Sequence, residues 1–148
     1  MPVKRPMLVL TQPEPGPVPQ PVQTTVLIVE DESLISWAMS SLFSSLNYEV
    51  LVASSLASAR LQLFRRPDVV LLDVSLPDGS GLDLLPELAA KYPGIPAIVL
   101  SGHATQDIAA GARASGAYDV VLKPYPLDSL ATLVDFAVRQ SRILPLTV

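Results

Sequence analysis

Cysteine is absent from this sequence, which excludes a disulfide framework, a thiolate nucleophile and any cysteine-ligated zinc. Histidine occurs once, at His103, so histidine-cluster metal sites and a relay between two histidines are excluded, and a Ser-His-Asp triad has only that one base to use. Positive charge is sparse: among ten Lys and Arg residues only Lys4-Arg5 and Arg65-Arg66 are adjacent, and the net charge is −4. No extended basic surface for nucleic acid follows from that balance. Long apolar runs are also missing. None approaches the roughly 20 residues of a membrane helix, and Met7 to Leu10 is too short for a signal-peptide core before prolines intervene. These absences point to a soluble cytoplasmic protein with no nucleic-acid or membrane partner.

What is present is apolar. Hydrophobic residues make up 49% of 148 residues and charged ones 16%, which suits one domain with a substantial core and argues against a disordered chain. Residues 1–24 stand apart, because seven of the fifteen prolines fall between Pro2 and Pro21. Proline at that density fixes φ and removes amide donors, so an extended or disordered leader is expected. It reads more as a solvated leader than as a docking tail for a proline-binding partner, since no clean P-x-x-P with basic flanks is present.

From Thr25 the pattern becomes periodic. The run Val26 to Val29 is apolar and β-branched, as a strand buried on both faces would be. Ser33 is placed to cap a helix running to about Leu46, with Ile35, Ala38, Met39, Leu42 and Leu46 on one face and Asn47 as a left-handed stop. Strands follow at Glu49–Ala53, Val69–Asp73, Ala97–Ser101 and Tyr118–Leu122. Helices are expected over Leu56–Arg65, Leu82–Lys91, Thr105–Ser115 with Gly116 after it, and Leu127–Gln140 with Asp128 at the cap. Five strands, each followed by a helix, predict an α/β domain with a doubly wound, five-stranded parallel sheet over 25–141 and a short tail at 142–148.

Ligand sites in such sheets lie beyond the carboxyl ends of the strands. Here those ends carry Glu30-Asp31-Glu32, Asp73, Ser101 and, after the fifth strand, Lys123-Pro124. Converging carboxylates require neutralisation, and an all-oxygen donor set favours Mg²⁺ over transition metals. Acids, a metal, a lysine and a hydroxyl are the parts needed to transfer a phosphoryl group by positioning and charge neutralisation. The acid facing the phosphorus would then be the nucleophile.

At these residues the chain resembles the receiver domains of two-component response regulators, over about Thr25 to Gln140. The resemblance rests on VLIVEDE at 26–32, VVLLDVSLPDGSG at 69–81, VLSGHA at 99–104 and VLKPY at 121–125. It implies a flavodoxin-like (βα)5 fold with strand order 2-1-3-4-5, and a stand-alone, Mg²⁺-dependent phosphorylation switch. Asp73 would be the phosphoacceptor. Asp31 would bind Mg²⁺ directly, Glu30 through water, and Ser75 through its backbone carbonyl. Ser101 would move onto the phosphoryl oxygens, and Lys123 would pair with them, followed by Pro124 across a cis peptide. Leu76-Pro77 and Gly81 match the loop after the acceptor, where Gly81 helps start the third helix. The donor would be a histidine kinase or histidine phosphotransfer protein, and the downstream target is an unknown protein. Such a domain would not be an enzyme on a separate substrate; it would catalyse only its own phosphorylation and dephosphorylation.

One position departs from the family. Three residues before the lysine, where Tyr or Phe is usual, stands Val120, and Tyr118 lies two residues earlier, on the same face by strand parity. The usual aromatic readout is therefore in doubt, which keeps open a pseudo-receiver that binds partners without phosphorylation. A haloacid-dehalogenase-type phosphatase fits poorly because the acids after the first strand have the wrong spacing, and a nucleotide-binding flavodoxin-like module lacks a glycine-rich loop. His103 either borders the phosphoryl site or faces solvent. Leu34 and Trp37, on a first helix with no charge from Ser33 to Asn47, either meet a partner or fold over the helix edge or the leader. Only Ser141–Val148 follows the last helix, so action by protein contact, or as a phosphate relay or sink, is expected unless the chain is a fragment of a longer regulator, with a homodimer through the fourth helix, fifth strand and fifth helix left open.

Overall fold

The computed structural model describes residues 16–17, 22–102 and 106–143. The rest of the leader, His103, the expected helix start at Thr105, and the tail after Ile143 lie outside the described residues. Five strands, β1 (Thr25–Val29), β2 (Glu49–Ala53), β3 (Val69–Asp73), β4 (Ala97–Ser101) and β5 (Asp119–Leu122), form one parallel sheet in the order β2-β1-β3-β4-β5. The register runs Val26 to Val69 and Val70 to Ala97, so β1, β3 and β4 end in turn one residue further along the sheet edge. That alignment places Glu30, Asp73 and Ser101 at one edge.

The helices are α1 (Ser33–Ser45), α2 (Leu56–Leu63), α3 (Leu84–Lys91), α4 (Gln106–Ala114) and α5 (Leu127–Ile143). They cover both faces of the sheet. Alternate strand residues Val26, Ile28, Val69, Leu71, Ile98 and Leu100 pack with Met39 and Phe43 of α1 and Leu130 and Val134 of α5. The intervening residues Leu27, Val29, Val70, Leu72 and Val99 pack with Leu56 and Leu63 of α2, Leu84 and Leu88 of α3, and Ala112 of α4. Burial on both faces is why these strands are uniformly apolar in sequence.

Several boundaries differ from expectation for identifiable reasons. Helix α1 is entered from Glu32 and makes no side-chain cap bond, so Ser33 is its first helical residue rather than its cap. Leu46 is exposed, not on the buried stripe, because the helix has ended and the chain turns at Asn47, which adopts the expected left-handed φ of 67°. Helix α2 stops at Leu63, short of Arg65, as Arg66 takes a φ of 51° before Pro67. Gly81–Asp83 winds as a 3₁₀ turn, which delays α3 to Leu84. Helix α5 opens at Leu127, with Asp128 in its first turn, and continues past Gln140 to Ile143.

Tyr118 is a further correction. Strand β5 starts at Asp119, so parity does not extend back to Tyr118. Its ring packs on the α1/α5 side, with its hydroxyl 2.7 Å from Gln140 Oε1, whereas Val120 packs on the opposite side.

Candidate functional site

Strand β3 is buried along its whole length and ends in Asp73, whose carboxylate is only 4% exposed although it borders a cleft of about 440 Å³. Two contacts hold it: Lys123 Nζ lies 3.0 Å from Oδ2, and the Ser75 amide donates to Oδ1 at 3.2 Å. The Gly81 amide donates to the Val74 carbonyl at 2.8 Å, closing the following loop. A Cβ on Gly81 would run into the Asp73 carbonyl oxygen, so this close approach requires glycine.

Glu30 follows β1 and is buried, and neither of its carboxylate oxygens has a hydrogen-bond partner among the described residues. Its nearest cation is Lys123, with Nζ 3.7 Å from Oε2. Burial, reinforced by the adjoining Asp73, pushes the Glu30 carboxyl up to about 8. Burial would raise Asp73 as well, but the neighbouring Glu30 carboxyl, the Lys123 ammonium and the Ser75 amide outweigh it and hold Asp73 below the ordinary carboxylate range. Lys123 is raised: burial disfavours its charge, yet Asp73 and Glu30 more than compensate. The two acids are thus pushed in opposite directions around a single lysine.

Asp31 completes the cluster from an exposed position, and ligand oxygens of Glu30, Asp31 and Asp73 all lie within 4.8 Å of one another. Carboxylate oxygens alone, two of them buried without partners, suit a hard divalent cation. Ser101 ends β4, 2% exposed, and lines the same cleft, and its carbonyl accepts the Lys123 amide at 2.8 Å. The peptide between Lys123 and Pro124 is cis. Asp31, Asp73, Ser75, Ser101 and Lys123 thus line one crevice at the carboxyl edge of the sheet, with Glu30 buried against Asp73.

The sequence matches the response regulator receiver domain family over residues 26–135. The chain belongs to that family. Receiver domains act as phosphorylation switches, and this receiver is similar to the probable transcriptional regulatory protein TcrX of Mycobacterium tuberculosis, 37% identical over 84% of this chain and 53% of that protein. It is also similar to the DNA-binding transcriptional regulator NtrC of Proteus hauseri, 31% identical over 79% of this chain and 25% of that protein. The chain thus spans about half and about a quarter of these relatives. In fold it resembles the CheY-like receiver domain protein of Methanospirillum hungatei, with a TM-score of 0.78 at 22% identity, over 81% of this chain and 97% of that one.

Two residues at the receiver's site were not singled out from sequence. Tyr125 lies half-buried beside α1, with its hydroxyl 3.7 Å from Met39 Sδ, and burial together with the charges of Glu30 and Asp73 pushes its phenol up to about 12. Asp78 accepts from the backbone amides of Leu56 and Ala57, at 2.8 and 3.0 Å. The signal for Asp78 was present as a Pro-Asp-Gly turn signature, but its partners lie more than twenty residues earlier, beyond local pattern. Among the described residues no helix is long and apolar enough to cross a membrane.

Proposed function

We propose that this receiver, over residues 25–141, accepts a phosphoryl group on Asp73 from a phosphohistidine donor, a histidine kinase or histidine phosphotransfer protein. The observation that carries the reading is the Asp73 carboxylate, kept ionised in a nearly buried position by Lys123 at 3.0 Å. An Asp73 oxygen attacks phosphorus, the phosphorus–nitrogen bond breaks, and the donor imidazole leaves as the neutral base after taking a proton. Lys123, already oriented at the site, holds the phosphoryl oxygens. The Ser101 hydroxyl donates to one of them. Asp31, Asp73 and the Ser75 carbonyl would hold Mg²⁺, with Glu30 acting through water, and the bound ion would neutralise the developing phosphoryl charge. The same groups present water to the phosphoryl group for hydrolysis, so the activity is confined to the domain's own phosphorylation state. A cytoplasmic location and signalling by protein contact, including self-association, accompany this reading.

The donor surface is best supported at α1. Leu34, 82% exposed, lines an apolar groove of about 470 Å³ with Ile35, Ala38, Pro124 and Tyr125, and Trp37, 69% exposed, follows one turn along α1. Lys123 lines both this groove and the acidic cleft, so a helix seated in the groove would bring its histidine to Asp73.

The test is intact-mass measurement after incubation with acetyl phosphate and Mg²⁺, beside Asp73→Ala and a metal-free control. Gain of one phosphoryl group requiring both Asp73 and Mg²⁺ is expected. No adduct from acetyl phosphate, from beryllofluoride or from phosphorylated donors would leave a partner-binding module without phosphorylation.

A further inference from the structure

We infer that Asp78 is a positioning residue for the metal site, acting through the loop that carries the Ser75 carbonyl; the inference rests on the reading of that carbonyl as a ligand. Ser75–Leu76 and Gly79–Ser80 pair as a minimal antiparallel hairpin, with Ser75 opposite Ser80. Pro77 and Asp78 form its tip. The base of the hairpin is fixed by the Gly81 amide on the Val74 carbonyl, and the start by the Ser75 amide on Asp73 Oδ1. Neither tip residue takes part in the two ladder pairs of the hairpin.

Asp78 instead ties the tip to α2. One carboxylate oxygen accepts the Leu56 amide at 2.8 Å and the other the Ala57 amide at 3.0 Å. Those are the first two orphan donors of α2, and a carboxylate there also complements the helix dipole. The next donor, the Ser58 amide, is taken by the helix's own cap, Ser55, in a reciprocal capping box. Helix α2 is therefore capped without Asp78, whereas among the described residues the hairpin's hold on α2 is the Asp78 carboxylate, beside the packing of Leu76 on the core. Gly79, at a φ of 148°, lets the tip approach, since a Cβ there would meet Leu56 Cδ1 at 3.0 Å. A two-point tether at the tip, a glycine contact beside it and a closed base fix where the Ser75 carbonyl points relative to Asp73.

The experiment is calorimetric Mg²⁺ titration of the full chain and of Asp78→Ala, Asp78→Asn, Ser55→Ala and Asp73→Asn, with thermal unfolding of each. Asp78→Ala should weaken Mg²⁺ by roughly tenfold, the low end of what loss of an outer-shell partner costs. Asp78→Asn, which keeps one acceptor, should fall between it and the parent. Ser55→Ala should lower thermal stability with Mg²⁺ affinity unchanged. In acetyl phosphate labelling, Asp78→Ala should raise the half-saturating Mg²⁺ while leaving the rate at saturating Mg²⁺ near the parent value, a split that simple destabilisation would not produce. Asp78→Ala and Asp78→Asn both binding Mg²⁺ within twofold of the parent would overturn the inference. So would Ser55→Ala weakening Mg²⁺ as much as Asp78→Ala. Unaltered Mg²⁺ binding by Asp73→Asn, or none by the parent, would instead remove the metal-site reading itself.

Discussion

Glu30 and Lys123 are the residues at which burial and charge conflict most. A carboxyl raised in the folded state to about 8, from 4.5, contributes stability that is complete below 4.5 and is lost as pH rises through 8. Metal-free protein should therefore lose stability between pH 5 and pH 9, as followed by urea unfolding in chelator, and Glu30→Gln should flatten that decline. Asp73, held low, has the opposite sign, but its stability is lost only as pH falls below about 3.8, outside this window. Lys123 answers both acids. Lys123→Gln should lower the rate of acetyl phosphate labelling by about a hundredfold, the usual cost of one charge-stabilising donor, while the protein stays folded because 23% of the side chain already meets solvent.

At the scale of elements, the backbone around the site is as constrained as its side chains. Gly81→Ala forces a methyl into the Asp73 carbonyl, and neither backbone can yield without disturbing β3 or the 3₁₀ turn. A loss of about 2–3 kcal/mol in denaturant unfolding is expected, comparable to overpacking a core, together with weakened labelling. Position 120 belongs to this scale too. Val120 sits beside Ala112 and Ala117 in the cluster under α4, with no ring in β5 to move between two states. The strands were legible in sequence because β1, β3 and β4 are buried on both faces and so read as unbroken apolar runs. The acidic site was legible because its residues terminate those runs. Tyr118 was misplaced because strand parity says nothing about where a strand begins, and Leu46 because a helical stripe says nothing about where a helix stops. Asp78 was passed over because its partners are a different helix's amides.

At the scale of the whole molecule, stability is divided between two cores on opposite faces of one sheet. Phe43 lies wholly in one and Leu88 in the other, so truncating them should be nearly additive. Phe43→Ala should cost about 3–5 kcal/mol and Leu88→Ala about 2–5 kcal/mol. Their sum approaches the whole stability of an ordinary domain, and the double variant should be unfolded at room temperature by circular dichroism while each single variant folds.

The chain has one tryptophan, and it stands 69% exposed on α1, one turn along from Leu34, which lines the groove shared with Lys123. The molecule thus carries an intrinsic optical probe confined to one surface. Emission excited at the indole band reports the water around Trp37 and nothing from either core. A helix that seats against α1 should shift it to the blue, and a contact elsewhere on the domain should leave it alone. Binding at this face can be followed in unlabelled protein, separately from every other event the domain undergoes.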